Sequence, residues 1–157
     1  MTESEKKEWV DWLNTKVLQK AVVVDEDGNF LSIRRTESGP GGRLGKWDLP
    51  GGSMEADDLV IGTKPHAETI KRELREETGL EGDEVEVIFA DSGIKKTQTA
   101  GNVLLMTLGY KCKVKGEKPE VKLSNEHVEA KWGPKEEILN LDFGDDGGFH
   151  ASIIKKA

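Results

Sequence analysis

The sequence predicts an α/β fold in which a mixed β-sheet is sandwiched between helices. Three observations predict it. Several strand-like runs lie between residues 17 and 132, one long helical pattern interrupts them, and two short helical patterns follow near the C-terminal end. No internal repeat, low-complexity tract or shift in composition divides the chain, so residues 1–157 are expected to form one domain with a proper core.

Taken in order, Trp9, Trp12 and Leu13 recur at i, i+3 and i+4 and predict a short amphipathic helix over about residues 3–14. Such a helix would pack on the core or across a dimer interface. Residues 17–24 read as a strand, 25–29 as a turn around Asp27-Gly28, and 30–35 as the return strand. Arg34 and Arg35 end that strand, where either one reaches a phosphate or simply meets solvent. Residues 36–46 hold four glycines and a proline and form a loop, made mildly basic by Arg43 and Lys46. After the long helix, Val85, Val87 and Phe89 alternate through a strand over 84–90. Residues 92–101 are polar and predict a loop. The longest β-like run, 102–114, is apolar enough for a central strand. A break at 116–119, a weak strand at 121–123 and a polar loop at 124–127 come next. Val128, Ala130 and Trp132 then share one face of a strand, which turns Glu129 to the other. Pro134 opens a short helix, 142–148 form a loop, and 149–156 a terminal helix.

The long helical pattern holds the chemistry. Pro65 suits a first turn, where its missing N–H costs nothing, and Gly79 suits the left-handed residue that ends a helix. Between them, Ala67, Ile70 and Leu74 make an apolar stripe that can anchor to a core. Glu73, Glu76 and Glu77 fall within an arc of roughly 100° on another face. Three carboxylates so placed repel one another unless water screens them or a cation sits among them. Hard divalent ions take such oxygen ligands together with substrate phosphates. Upstream, Trp47-Asp48-Leu49-Pro50-Gly51-Gly52 is a short apolar segment stopped by a turn whose backbone can approach a ligand closely.

Leu49-Pro50-Gly51-Gly52, a loop, and then Arg72-Glu73-Leu74-Arg75-Glu76-Glu77-Thr78-Gly79-Leu80 resemble the Nudix box, G-x5-E-x7-R-E-U-x-E-E-x-G-U with U aliphatic. The sequence departs from the box in one respect. Counted from Gly52, the first box Glu falls on Asp58; counted back from Arg72, it falls on Lys64. Six extra residues therefore lie within 53–64, and Glu55, Asp57 and Asp58 are the stand-ins for that Glu. A loop accepts such lengthening at small entropic cost, and its place beside the box suggests a part in substrate choice.

The resemblance implies hydrolysis of a diphosphate linkage in a nucleoside diphosphate bearing another group X, such as a nucleoside triphosphate, nucleotide sugar or dinucleotide. It implies Mg²⁺ as cofactor, with Mn²⁺ as a substitute. Residue by residue, Glu76 and Glu77 match the principal metal ligands, and Glu73 a further ligand or the base. Arg72 matches the arginine that holds the Glu73 carboxylate, and Gly51 the position whose carbonyl completes a metal shell. Some Nudix enzymes take a base from a loop well after the box. Glu126 and Glu129 are the matching residues here, and Glu126 is favoured because it sits in the polar loop, free to swing over a bound phosphate. A Nudix-fold module that binds or senses a nucleotide without cleaving it is the alternative.

Composition agrees. The chain is 34% charged with a formal net charge of -7, which argues against broad nucleic-acid binding and for cations to mediate any contact with phosphates. A single Cys112 excludes an internal disulfide and a multi-cysteine zinc site. His66, His127 and His150 carry no zinc spacing. With no apolar leader and no membrane-spanning stretch, a cytoplasmic protein is expected, monomeric or homodimeric, with a small-molecule nucleotide as partner and no membrane or nucleic acid. Tyr110, Phe143 and Phe149 are aromatic groups for stacking on a base, and the sequence does not place them.

Overall fold

The computed structural model describes residues 2, 14–40, 42–55, 58, 65–96, 101–144 and 148–157. The apolar run that ends in Val24 builds β1 (Asn14–Val24), and three strands pair with it. On one side β6 (Asn102–Lys113) runs parallel to it over its whole length, from Asn14 opposite Val103 to Val24 opposite Lys113. On the other side lie β2 (Phe30–Arg35) at the end of the strand and β4 (Gly51–Ser53) at its middle, both antiparallel. The sheet is completed by β3 (Trp47–Asp48) and β7 (His127–Gly133) on β2, and by β5 (Glu84–Lys96) on β6.

Both faces of this mixed sheet are covered, as β1 requires: its residues 19–24 are all buried. Because side chains alternate along a strand, Ala21 and Val23 point to one layer and Val22 and Val24 to the other. The first layer holds Ile70 and Leu74 of α1 (His66–Thr78) against Leu108, Tyr110 and Cys112. The second holds Ile138 of α2 (Lys135–Leu139) and Ile153 and Ile154 of α3 (Phe149–Lys156). The helix–sheet–helix sandwich is the expected one. Cys112 is buried there, and burial pushes its thiol up to about 12, so it is inert at neutral pH.

Several expectations are corrected. Residues 92–96 are strand, not loop: β5 keeps pairing with β6 as far as Lys96 opposite Asn102. Residues 121–123 are not strand. They lie along the end of α1, where Lys122 N–H donates to Thr78 O (2.8 Å) and Ser124 N–H to Glu77 O (3.3 Å), satisfying carbonyls the helix leaves open. The turn at Gly51–Ser53 is a short strand. The helix expected over 3–14 lies outside the described residues except at Asn14, which is strand. The alternation expected through 128–132 fails at its start. Arg34 pairs with Glu129 but Arg35 with His127, so β7 carries Val128 as an extra residue, and that side chain is 51% exposed.

Candidate active site

The long helix carries the acidic face where the sheet opens. α1 starts after Pro65 and ends at Gly79, whose φ of 72° makes it the left-handed cap and whose N–H donates to Arg75 O. With Ile70 and Leu74 fixed in the core, Glu73 and Glu77 are drawn to its edge and are each 8% exposed, while Glu76 stays in solvent. The Pro50-Gly51-Gly52 segment crosses above them. Gly51 has φ 132°, and a Cβ there would overlap the Gln19 carbonyl oxygen, so only glycine lets β4 lie this close to β1. The Gly51 N–H donates to Glu77 Oε2 at 2.9 Å.

A cavity of about 520 Å³ opens between these elements. Glu73, Glu76, Glu77 and Gly51 line it, and so do Glu126 and Asn125 from the loop before β7. The three carboxylates of the helix and Glu126 therefore meet in one cleft. Glu129 does not. Opposite Arg34 in regular register, on the face away from Ala130 and Trp132, it pairs with Arg34 at 3.0 Å in solvent.

Arg72 organises the carboxylates. One of its terminal nitrogens is 2.9 Å from Glu76 Oε1; the other is 2.8 Å from Asp58 Oδ1 and 3.4 Å from Glu73 Oε1. Asp58, 4% exposed, also accepts the Glu55 N–H at 2.8 Å. Of the three stand-ins for the first box Glu, Asp58 is thus the one seated on Arg72; Glu55 lines the cleft, and Asp57 lies outside the described residues.

Among the described residues, no three His, Cys, Asp or Glu side chains are already gathered as a metal cage. Glu73 and Glu76 lie on Arg72 and Glu77 on the Gly51 amide. The donor set nevertheless fits a hard divalent ion, because every group is an oxygen and the buried ones carry a charge they cannot hold well alone. Burial pushes the Glu77 carboxyl up to about 8, against the opposing pull of Lys20 and the Gly51 N–H. Burial raises Glu73 as well, with the Arg72 charge opposing it. Both carboxylates would be stabilised in their charged form by a cation.

This shift makes a prediction for the metal-free protein. The folded state keeps a proton on Glu77 between the ordinary carboxylate range and about pH 8, where the unfolded chain has lost it. Stability therefore falls as pH rises from about 5 to 8, by on the order of 1 kcal/mol per unit at most. Melting temperatures in EDTA should decline through this window, and Glu77→Gln should flatten the decline. An equal decline in the variant would contradict the assignment.

Behind the carboxylates lies a network that reading the sequence missed. Lys20, 5% exposed, donates to Asp48 Oδ2 (3.1 Å) and to the carbonyls of Leu49 and Gly51 (3.2 Å each). Asp48 also takes Arg43 Nη2 at 3.1 Å and lies 2.8 Å from His150 Nε2. Burial alone would raise the Asp48 carboxyl; Lys20, His150 and Arg43 outweigh it and hold it far below the usual range. Arg43 is therefore committed to Asp48 as well as lining the cleft. The Gly51 carbonyl gives one lone pair to Lys20 and keeps a second. The signal was present: a lysine at the head of a buried apolar run must be paired.

The other residues weighed for function lie elsewhere. His66 is near the Tyr110 hydroxyl (3.4 Å) and not among the carboxylates. Tyr110 is buried and accepts a hydrogen bond from Gln19 at 2.6 Å. Phe143 and Phe149 stack on His150, so none of these three aromatics faces the cleft.

Comparison with known proteins agrees with this geometry. A model of the NUDIX domain matches residues 17–155. The chain belongs to the Nudix family. A curated relative, a MutT-like protein of Streptomyces ambofaciens, is 34% identical over 118 residues, 74% of this chain and 62% of the relative. The chain thus spans about three-fifths of that relative's length. Among solved structures, a MutT protein from Methanosarcina mazei Go1 superposes with a TM-score of 0.65 at 24% identity, covering 91% of this chain and 92% of that one. The NUDIX domain of Shewanella oneidensis NrtR, complexed with ADP ribose, gives 0.63 at 18% identity over 99% and 97%. At these identities the likeness is one of fold. Nudix proteins act on small nucleotides and generally use divalent metal ions. No described helix is long and apolar enough to cross a membrane.

Proposed function

We propose that this protein is a Mg²⁺-dependent hydrolase of a diphosphate linkage in a nucleoside diphosphate bearing another group X, with Mn²⁺ as a substitute metal. One observation carries the reading: Glu73 and Glu76, ordered by Arg72, and Glu77, held by the Gly51 N–H, share one cleft with Gly51 and Glu126. Glu73, Glu76, Glu77 and the free lone pair of Gly51 would hold the metal. When bound, the metal neutralises phosphate oxygens and acidifies an attacking water.

The protein's own residues supply the rest. Arg72 holds Asp58, Glu73 and Glu76 in register, leaving Glu77 fixed by the Gly51 amide. Lys20 fixes the Gly51 carbonyl from behind and sets the height of the turn above the helix. Glu126, at the mouth and not ion-paired to Arg34 as Glu129 is, takes the proton from water. Glu73 is less suited to that role, since it lies in the carboxylate cluster beside Arg72.

The test is a cleavage screen over nucleoside triphosphates, dinucleotides and nucleotide sugars, with Mg²⁺ and with EDTA, in which the phosphorus-containing products are separated and identified. Cleavage of at least one class in Mg²⁺ only is expected. Tight nucleotide binding with no cleavage of any class would favour a sensing module instead.

A further inference from the structure

The long free edge of the sheet is β5. It ends the strand order beyond β6, and among the described residues no further strand pairs with it. Every second residue of such a strand turns its N–H and C=O to the open side. Among the described residues, the one hydrogen bond its backbone makes outside the β6 ladder is internal, from the Ser92 N–H to Asp91 Oδ1 at 2.8 Å. Residues 90–95 are all exposed, and Val87 and Ile94 are apolar side chains left 53% and 47% in solvent. A cavity of about 350 Å³ opens beside the same stretch, against Leu105 and Phe149.

The order of charges along β5 says what this edge accepts. Glu84 and Glu86 stand at its start and Lys95 near its end. A second β5 laid parallel and in register would set like charges side by side; one laid antiparallel sets the acids of each copy beside the lysine of the other. Such a pair continues the sheet about a two-fold axis perpendicular to it, and that rotation keeps every side chain on its own face. Residues that meet across the axis must therefore share a face within one chain. Regular alternation would put residues 86 and 95 on opposite faces. The irregularity between Val87 and Phe89 removes that conflict. Glu84, Glu86 and Lys95 stand opposite Lys113, Lys111 and Val103, which share one face of β6, whose pairing with β1 is regular. Val85, Val87 and Ile94 stand opposite Cys112, Tyr110 and Leu104, on the other face.

We infer that β5 is a self-association surface whose occupant is β5 of a second copy of this chain, antiparallel about a two-fold axis near Ala90 and Asp91. Lys95 of each copy then meets Glu84 or Glu86 of the other, and Ile94 meets Val85 or Val87. The two Asp91 side chains come near each other at the axis, which limits the affinity. Both clefts stay open, since no residue of β5 lines one.

Sedimentation over a concentration series reaching about 0.3 mM tests the pairing. The wild type is expected to dimerise. Lys95→Glu, and separately Glu84→Lys with Glu86→Lys, set like charge against like across the axis. Each should weaken the dimer at least about tenfold, because the axis repeats every pair. Mixed in equal amounts, the two variants are expected to recover the dimer as a heterodimer, opposite charges facing again on both sides of the axis. The altered side chains are exposed, so melting temperatures should stay near that of the wild type and identify any variant that has lost its fold. A wild type monomeric throughout, a dimer left intact by either variant, or a mixture of folded variants that stays monomeric would each overturn the surface.

Discussion

Glu77→Gln and Glu76→Gln are each expected to lower turnover at least ~10²-fold, the order seen when a metal ligand or an electrostatic stabiliser is lost. The two substitutions reach the same result from different surroundings. Glu77 is buried, and a glutamine there can still accept the Gly51 N–H through its own oxygen, so the turn stays in place. Glu76 is exposed, and its loss leaves Arg72 bonded to Asp58 and Glu73. Neither change opens a cavity. Without metal, stability should be unchanged or higher, since Glu76→Gln relieves repulsion among carboxylates and Glu77→Gln removes a buried group that would otherwise charge as pH nears 8. A loss of activity at constant melting temperature separates a ligand from a structural residue. Full turnover of either variant in saturating Mg²⁺ would contradict the assignment.

Glu126→Gln is expected to lower turnover about 10²-fold and to alter the pH–rate profile, as removal of a general base does. Glu129→Gln, only three residues away, should stay near wild type. The contrast follows from where each residue sits. Glu126, in the loop before β7, lines the cleft, whereas Glu129 stands opposite Arg34 in the β2–β7 ladder, in a solvent-exposed pair of the kind that contributes little. The measurement is turnover against pH for both variants with the best substrate. A deficit in Glu129→Gln with Glu126→Gln near wild type would reverse the roles.

What was legible in the sequence is what local chemistry determines. α1 is found within one residue of its expected limits because Pro65 and Gly79 act at their own positions. Phe30–Arg35 and Phe149–Lys156 were likewise bounded by turn residues next to them. The gathering of the box carboxylates followed from helical spacing. What escaped depends on pairing across the chain. Ser92 and Gly93 look like loop residues, yet β6 supplies Met106 and Leu105 opposite them and holds them in the sheet. Residues 121–123 look like a weak strand but are used to close α1. The Lys20–Asp48 pair joins residues 28 apart in sequence, so neither neighbourhood announces the other. The orientation of Glu129 came out as expected, though the regular alternation invoked for it is broken by Val128.

The most direct test of the account is hydrolysis of the best substrate in ¹⁸O-labelled water, with free Mg²⁺ titrated from an EDTA-treated state and the products read by mass spectrometry. The account predicts one ¹⁸O atom in one phosphorus-containing product, turnover that vanishes in EDTA and returns with Mg²⁺, and little turnover at any Mg²⁺ concentration in Glu77→Gln. Cleavage that persists undiminished in EDTA, or a nucleotide that binds and is returned intact at every metal concentration, would contradict it.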